Sequence, residues 1–459
     1  MSELKRTTFE TSRAAEYFDA RELQAQTGQP ASNFATVALK ELMDNALDAC
    51  ETAGVAPEVG IEVREVEGLI RLSVSDNGSG IPPETVRKVL NFDTRTSDKV
   101  AYRSPTRGAQ GNALKTVIGI PHALGCQEPV LIEAPGIRHV IRAWVDPAGE
   151  LRVDHDEGGV NGHRGTRVSL AVPRKGQDFD PDYWARSFAL FNPHASVRIR
   201  TGSQSAGCSY QGKSDDLEDG GFYHSTVPFP GQGFRKFLPT DLTSPHWYSV
   251  KALERLLFSY IADARNGGRD LPLREFVRQF RGLSGTQRAK GVVAGFPGMK
   301  YLSDFEKAPG AVAELLVRMR EESKAPSHDV LGMVGEEHFR VCFEEWYGAE
   351  RFWYTKAKGE TYGTPYLFEV ALAQTEEAGD LFTAVNFSPT FDDPLAAARL
   401  ESPEFAAYGI KSFLSQAHAS PYPEYHWEDA TARTAVAVHL VTPAPVFLDR
   451  GKTRLQLED

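Results

Sequence analysis

The sequence predicts an α+β protein: two α/β layers with a small helical module between them. Three observations lead there. An apolar helix over residues 33–52 runs straight into two short strands, IEVRE (61–65) and LIRLSVS (69–75). Residues 246–290 read as helical. From about residue 330 strands and a helix alternate again. A chain of 459 residues is too long for one compact core and fits two to three domains.

Residues 1–31 read as an extended arm and a short helix. Ser32 is the expected cap of the helix that follows, and Gly54 and Pro57 end it. After the two strands, Ile81-Pro82-Pro83-Glu84 opens a helix that runs through Leu90, since proline in the first turn and an early glutamate suit a helix start. A polar, glycine-containing segment over roughly 93–112 leads into a helical stretch near 112–124. Strands at 129–133, 138–145 and 166–172 complete the first layer. Residues 174–240, rich in Gly, Ser and Pro, read as a connecting region or an insertion. In the last part YLFEVALAQT (366–375) and LFTAVNFS (381–388) read as strands, EFAAYGIKSFLSQAHA (404–419) as a helix, and TAVAVHLVTP (434–443) as a buried strand.

Bulk composition narrows the function classes. The chain is 41% hydrophobic with no apolar run of membrane-spanning length, and its start, MSELKRTTFETSRAAEYF, is polar and mixed in charge. Both features point to the cytoplasm and away from a membrane. Cys50, Cys126, Cys208 and Cys342 form no CxxC pair, which points away from a zinc site or a disulfide framework and toward buried free thiols. A net charge of −11 lacks a whole-chain basic footprint for nucleic acid, although a local basic face suffices for binding.

Three segments carry chemistry. In helix 33–52, Phe34, Val37, Leu39, Leu42, Met43 and Leu47 cover most sides, so the helix should be largely buried. Yet Glu41, Asn45 and Asp48 fall at i, i+4 and i+7 on one stripe, and a buried carboxylate needs a partner. The stripe lines a polar cleft, binds a cation or finds salt bridges, or else it is the solvated side of a surface helix. Asp76 ends an apolar strand and begins DNGSGIP, where Gly78 and Gly80 let the backbone turn sharply and let a flat ligand come close. An ordinary type I turn explains Asp-Asn-Gly equally well. Arg107-Gly108-Ala109-Gln110-Gly111-Asn112-Ala113-Leu114-Lys115 sets two glycines before a helix start, where backbone N–H groups favour phosphate and the two cations add charge. It is neither a Walker P-loop nor a GxGxxG unit, and a flexible loop with incidental glycines is the alternative. A fourth feature, Gly165-Thr166, heads the strand TRVSLAV.

ELMDNALDA, DNGSGI, RGAQGNALK and GTRVSL, in that order, resemble the four boxes of the Bergerat-type (GHKL) ATPases. That superfamily includes type II topoisomerases, the MutL mismatch-repair proteins, the ninety-kilodalton heat-shock chaperones and sensor histidine kinases. KELMDNALDACETAG and TRGAQG are most similar to the ATPase (B) subunits of the DNA topoisomerase VI family. TSPHWYSVKALERLL and REFVRQFRGLSGTQRAKGV look like that family's helical module, while YLFEVALAQ, AVNFSPTF and FLDRGKTRLQL resemble its transducer domain. Two departures stand out: Asn112-Ala113 follow Gly111 where the family usually has a further glycine, and the sequence ends seven residues past Lys452, so the family's long helix toward a DNA-cleaving subunit is expected to be missing or replaced.

The resemblance implies a layout of an N-terminal strap at 1–20, a Bergerat-type ATP-binding α/β sandwich with connecting region at 21–235, a helix-two-turns-helix-like module at 236–325 and a transducer-like domain at 326–459. It implies ATP and Mg²⁺ as cofactors, with Asn45 holding the metal and Glu41 aligning and deprotonating the attacking water. Asp48 completes that stripe, Asp76 reads the adenine amine, Gly78 and Gly80 permit close ring approach, and Thr166 supports Asp76. Arg107 to Lys115 wraps the phosphates, Ser97 and Lys99 touch them, and Lys452 senses the γ-phosphate. The implied function is the ATP-hydrolysing subunit of a topoisomerase VI-like machine, an ATP-dependent homodimer working with DNA and a separate Toprim-type cleaving subunit. The alternatives are a stand-alone ATP-gated clamp or switch in DNA repair, chromosome maintenance or phage defence, and an ATP-binding protein that no longer hydrolyses, against which Glu41 speaks. Arg265, Arg269, Arg274, Arg278, Arg281, Arg288 and Lys290 form either a DNA-tracking face or a solvated helix surface.

Overall fold

A computed structural model describes residues 13–92, 102–107, 113–160, 162, 164–203, 218–225, 227, 234–349, 351–361, 363–375, 379–391, 434–445 and 447. The chain divides into two compact units: residues 1–97, 110–230 and 448–453, and residues 98–109, 231–447 and 454–459. The expected helix at 404–419 lies outside the described residues. Among the described residues, no helix is long and apolar enough to cross a membrane.

The first unit contains, in order, α1 (Ala20–Thr27), α2 (Phe34–Ala53), β1 (Glu58–Val66), β2 (Leu69–Ser75), α3 (Pro83–Val89), α4 (Ala113–Ala123), β3 (Val130–Ala134), β4 (Ile137–Val145), β5 (Leu151–Gly159), β6 (Arg167–Pro173), α5 (Pro181–Phe191), β7 (Ser196–Ser203) and β8 (Glu218–Tyr223). The strands form one sheet in the order β5-β4-β3-β6-β2-β1-β7-β8. Alternate residues of β1 and β2 are buried, which is the period-2 signature of a sheet with one covered face. Helices α2, α4 and α5 pack on that sheet.

Segment 174–240 is not a connector. It supplies α5, β7 and β8, and β7 pairs in parallel with β1 from Glu58↔Ser196 to Glu65↔Ser203. The signal was there: in SVRIRTGS, Val197 and Ile199 face in while Arg198 and Arg200 alternate with them. The Gly- and Ser-rich flanks masked it. The same region corrects the cap of α2. Asn33, not Ser32, is the capping position, and it makes no side-chain bond to the helix start. The N–H of Ala35 donates instead to Gln177 Oε1 at 3.0 Å, so a residue distant in sequence satisfies an orphan donor there. At the other end Gly54 takes φ 67°, the left-handed stop expected of a glycine.

The second unit contains α6 (Val250–Arg265), α7 (Leu273–Arg278), α8 (Thr286–Ala294), α9 (Ala311–Glu321), α10 (Glu336–Tyr347), β9 (Arg351–Thr361), β10 (Thr364–Gln374), β11 (Leu381–Val385), β12 (Ser388–Pro389) and β13 (Thr434–Val441). Gly267-Gly268, Pro272 and Gly285 break the expected helical stretch 246–290 into three. The sheet order is β12-β11-β13-β10-β9, with α10 against β10 and β13. Strand β11 stops at Val385, short of the expected 388, because Asn386 and Phe387 turn the chain with φ 54° and 65°. Asparagine tolerates that conformation; phenylalanine is an outlier there.

A buried network holds this turn. The Phe387 N–H donates to His439 Nε2 at 3.2 Å, so that nitrogen accepts and the ring proton sits on Nδ1. Nδ1 lies 2.9 Å from Glu369 Oε2, and Glu369 also receives the N–H groups of Val334 and Gly335 and the hydroxyl of Tyr354. Burial alone pushes the Glu369 carboxyl up, but the His439 hydrogen bond and the two backbone donors outweigh it and hold the group below its ordinary value.

Candidate functional site

Helix α2 forms because residues 34–53 contain neither glycine nor proline and are rich in Ala, Leu, Met and Glu. Its core side is shut: Leu39, Met43, Leu47 and Cys50 are fully buried. The stripe read from the sequence is graded rather than uniform. Glu41 is half-buried, Asn45 is exposed and Asp48 is buried. Beside it, Lys40 and Asp44 form a buried ion pair at 2.9 Å, one helical turn apart. Glu41 and Asn45, also one turn apart, thus reach solvent from a helix whose first three turns are otherwise buried.

The DNGSG turn lies against the same helix. A Cβ on Gly78 would stand 3.0 Å from the Ala49 carbonyl carbon, so only glycine allows the turn to come this close. Asn77 pins the turn from the other side. Its Oδ1 accepts the Glu58 N–H at 3.0 Å and the Cys50 thiol at 3.0 Å, and its Nδ2 donates to the Ala56 carbonyl. Sequence reasoning missed Asn77 as a positioning residue; its place between Asp76 and Gly78 was the available signal. Burial, then the neighbouring Asp76 charge, pushes the Cys50 thiol up to about 12, so it stays protonated and serves as a donor.

Asp76 is buried and its orientation is set by backbone. Oδ1 accepts from the N–H of Gly78 at 2.8 Å and of Thr166 at 3.2 Å, and its own N–H donates to the Thr166 carbonyl at 2.9 Å. The Thr166 hydroxyl accepts the Ile81 N–H at 3.1 Å. Thr166 therefore supports Asp76 through its main chain, while its side chain holds the far end of the turn. Gly165 makes this possible: at φ +74° a Cβ there would lie 2.0 Å from the Asp76 carbonyl oxygen. Gly80, at φ +81°, is crowded by Pro135 and the Gly165 carbonyl. Segments from three distant parts of the sequence meet here: α2, the 76–80 turn and residues 165–166.

The glycine-rich segment is only partly described. Ser97, Lys99, Gly108, Ala109, Gln110, Gly111, Asn112 and Lys452 lie outside the described residues. Ala113, Leu114 and Lys115 open α4, with the first two half-buried. Lys115 is buried, its Nζ 2.5 Å from the Asn91 carbonyl and within about 6 Å of the Tyr17 and Phe92 ring centres. Arg107 belongs to the second unit. It is 1% exposed, and its Nε donates to the Phe387 carbonyl at 3.4 Å. Arg103 and Tyr102, in the same short segment, bond Tyr248, Tyr260 and Gln279.

What this arrangement offers is a backbone-clamped carboxylate beside two glycines with no room for a side chain, and an exposed amide one turn from a half-buried carboxylate. The first suits a flat heteroaromatic ring bearing an N–H donor. The second presents oxygen donors to solvent, the ligand type a hard divalent cation takes while keeping several waters.

Residues 32–176 match the family model described as Histidine kinase-, DNA gyrase B-, and HSP90-like ATPase. The chain is 30% identical over 178 residues to the B subunit of type 2 DNA topoisomerase 6 from Thermococcus sibiricus (strain DSM 12597 / MM 739), a match covering 36% of this chain and 30% of that protein. Against the Archaeoglobus fulgidus protein of the same name it is 25% identical over 382 residues, covering 78% of this chain and 57% of the relative. The crystal structure of the 43K ATPase domain of Thermus thermophilus gyrase B in complex with an aminocoumarin aligns at 15% identity with a TM-score of 0.32, covering 91% of this chain and 78% of that one. The matches thus span less than two thirds of these topoisomerase proteins. Residues 32–176 form a nucleotide-binding domain of the histidine kinase-, DNA gyrase B- and HSP90-like ATPase family, carried by a chain similar to the B subunit of type 2 DNA topoisomerase 6.

Proposed function

We propose that this chain is the ATP-binding and ATP-hydrolysing subunit of a topoisomerase VI-like DNA-processing machine. The observation that carries the reading is the Asp76 clamp, held by Gly78 and Thr166 against α2 within the matched ATPase domain. In this reading Asp76 accepts the adenine amine, and Gly78 and Gly80 let the backbone of the turn come close to the ring. Asn45 holds Mg²⁺, which when bound neutralises phosphate charge. Glu41, one turn before Asn45, orients the attacking water and takes its proton. Residues 110–114 with Ser97 cover the phosphates, Arg107 and Lys115 being buried on the Phe387 and Asn91 carbonyls, and Lys452 senses the terminal phosphate. Residues 21–235 are read as the ATPase domain, 236–325 as a helical module and 326–459 as a transducer-like domain.

The same reading assigns ATP-driven homodimer closure, coupled to DNA strand passage or cleavage by a separate Toprim-type subunit. The exchanged strap is then sought in residues 1–12, since Arg13–Phe18 packs on its own unit: Tyr17 lies tilted and Phe18 edge-on against Phe92, and Gly119 of α4 meets the Tyr17 carbonyl. DNA contact falls to fewer cations than the sequence suggests. Arg265 pairs with Glu306 and Arg269 with Glu275, both at 2.9 Å. Exposed Arg278, Arg281, Arg288 and Lys290 remain as the face for DNA phosphates. That loss of cations favours, as a second reading, an ATP-gated clamp or switch without topoisomerase activity.

Light scattering on the full chain tests closure. A non-hydrolysable ATP analogue with Mg²⁺ should convert monomer to dimer, and a monomer at saturating analogue would refute this assignment. Supercoil relaxation by the chain with a co-purifying cleaving subunit separates the first reading from the second.

A further inference from the structure

A cluster of three ligand-type side chains lies on the β4–β5 hairpin, at the edge of the first unit's sheet, and the nucleotide chemistry makes no use of it. His139 and Glu157 are direct cross-strand partners, and His155, two residues before Glu157, shares their face. His139 Nδ1 lies 2.9 Å from His155 Nε2 and 3.5 Å from Glu157 Oε1, and the latter two atoms are 3.8 Å apart. A triangle with those sides has a circumradius of about 2.0 Å, the length of a Zn–N or Zn–O bond. One ion near its centre therefore lies within bonding distance of all three atoms.

We infer that His139, His155 and Glu157 form a binding site for a zinc-class divalent transition metal, a site that shares Glu157 with Arg87. Two imidazoles and a carboxylate select Zn²⁺, Co²⁺ or Ni²⁺ over Mg²⁺ or Ca²⁺, and three protein ligands leave a position for water. The absence of a CxxC pair argued against zinc on cysteine spacing alone; this cluster uses no cysteine.

One further observation supports the site: His139 is fully buried and its Nδ1 faces the second imidazole, with the rings stacked at 5.1 Å. The opposing group is Arg87 of α3, whose Nε and Nη2 bond Glu157 Oε1 and Oε2 at 2.8 and 2.7 Å. Capture of an ion at Oε1 displaces the Nε bond and leaves Nη2 on Oε2. Metal occupancy thereby loosens one of two bonds on α3, the helix that starts three residues after Gly80.

Isothermal titration of the full chain with Zn²⁺, after chelator dialysis and without nucleotide, tests this, with Co²⁺ absorption reporting the coordination geometry. Wild type should take up one equivalent and melt at a higher temperature with metal. His155→Ala and Glu157→Gln should each weaken binding by about tenfold or more, while Arg87→Ala, which removes the competitor, should tighten it. Circular dichroism checks the fold; if His155→Ala is unfolded, the Glu157→Gln and Arg87→Ala arms decide. No Zn²⁺ uptake, or uptake unchanged in folded Glu157→Gln and Arg87→Ala, overturns the inference.

Discussion

At Asp76 the two oxygens are not equivalent. Oδ1 is committed to the N–H groups of Gly78 and Thr166, and these fix the plane of the carboxylate. Asp76→Asn keeps one acceptor for those two donors but puts an amine where the other oxygen was, facing an exocyclic amine with a like group. The fold should survive, and nucleotide affinity should fall by about tenfold to a hundredfold, the loss of one charge-assisted hydrogen bond. Equilibrium binding of a fluorescent ATP analogue checks this, and unchanged affinity removes Asp76 from the adenine role. Glu41, Asn45 and Asp76 were singled out in the sequence because a carboxylate or amide in an apolar setting demands a reason, and the fold buries Asp76, half-buries Glu41 and leaves Asn45 exposed. Asn77 was not, since its three anchors, Cys50, Glu58 and Ala56, come together with it only in the fold. The buried Glu51–His194 pair, 2.9 Å apart, was invisible for the same reason: its members are 143 positions apart.

At the scale of elements, the close approach of the 76–80 turn to residues 165–166 depends on glycine. Gly165→Ala meets both an unfavourable φ of +74° and a 2.0 Å clash with the Asp76 carbonyl. Gly149, at φ +83°, has open space around it. Alanine at Gly149 should therefore cost about 1–2 kcal/mol, the conformational penalty alone, and alanine at Gly165 distinctly more. Urea denaturation of both variants measures the difference, and equal losses would mean that crowding adds nothing at Gly165. Most helices and strands could be read from apolar period and breakers, as with α2 and its Gly54 stop. Among those not read from the sequence were α5, α9 and β9, and also β5, whose LRVDHDEGG has few apolar residues, and β7–β8, whose flanks resemble loop. β5 and β7–β8 gain their place from a partner strand rather than from their own composition.

For the whole molecule, three histidines shielded by the fold give stability a pH dependence. Burial pushes His122, His139 and His246 below the ordinary 6.5. Once unfolded they bind protons near 6.5, so the unfolded state takes up more protons and the contribution, complete above that pH, is lost as pH falls below it. Carboxylates held low, such as Glu157 and Glu369, lose theirs only near and below 4.5. The urea midpoint should thus drop between pH 7.5 and 5.5, and a flat or rising midpoint would contradict this balance. The fold class, α+β with a nucleotide-binding first layer, was readable from four ordered motifs. The linkage of 102–107 to Tyr248, Tyr260 and Phe387 was not, because those residues are over a hundred positions away. Centrally, Glu41 is proposed to drive hydrolysis of an ATP that Asp76 and Asn45 help to hold, and ATP binding and turnover by Glu41→Ala test this most directly. Binding should stay close to wild type while turnover falls by about 10²–10⁴-fold; turnover at the wild-type rate, or a wild-type chain that does not bind ATP, would contradict it.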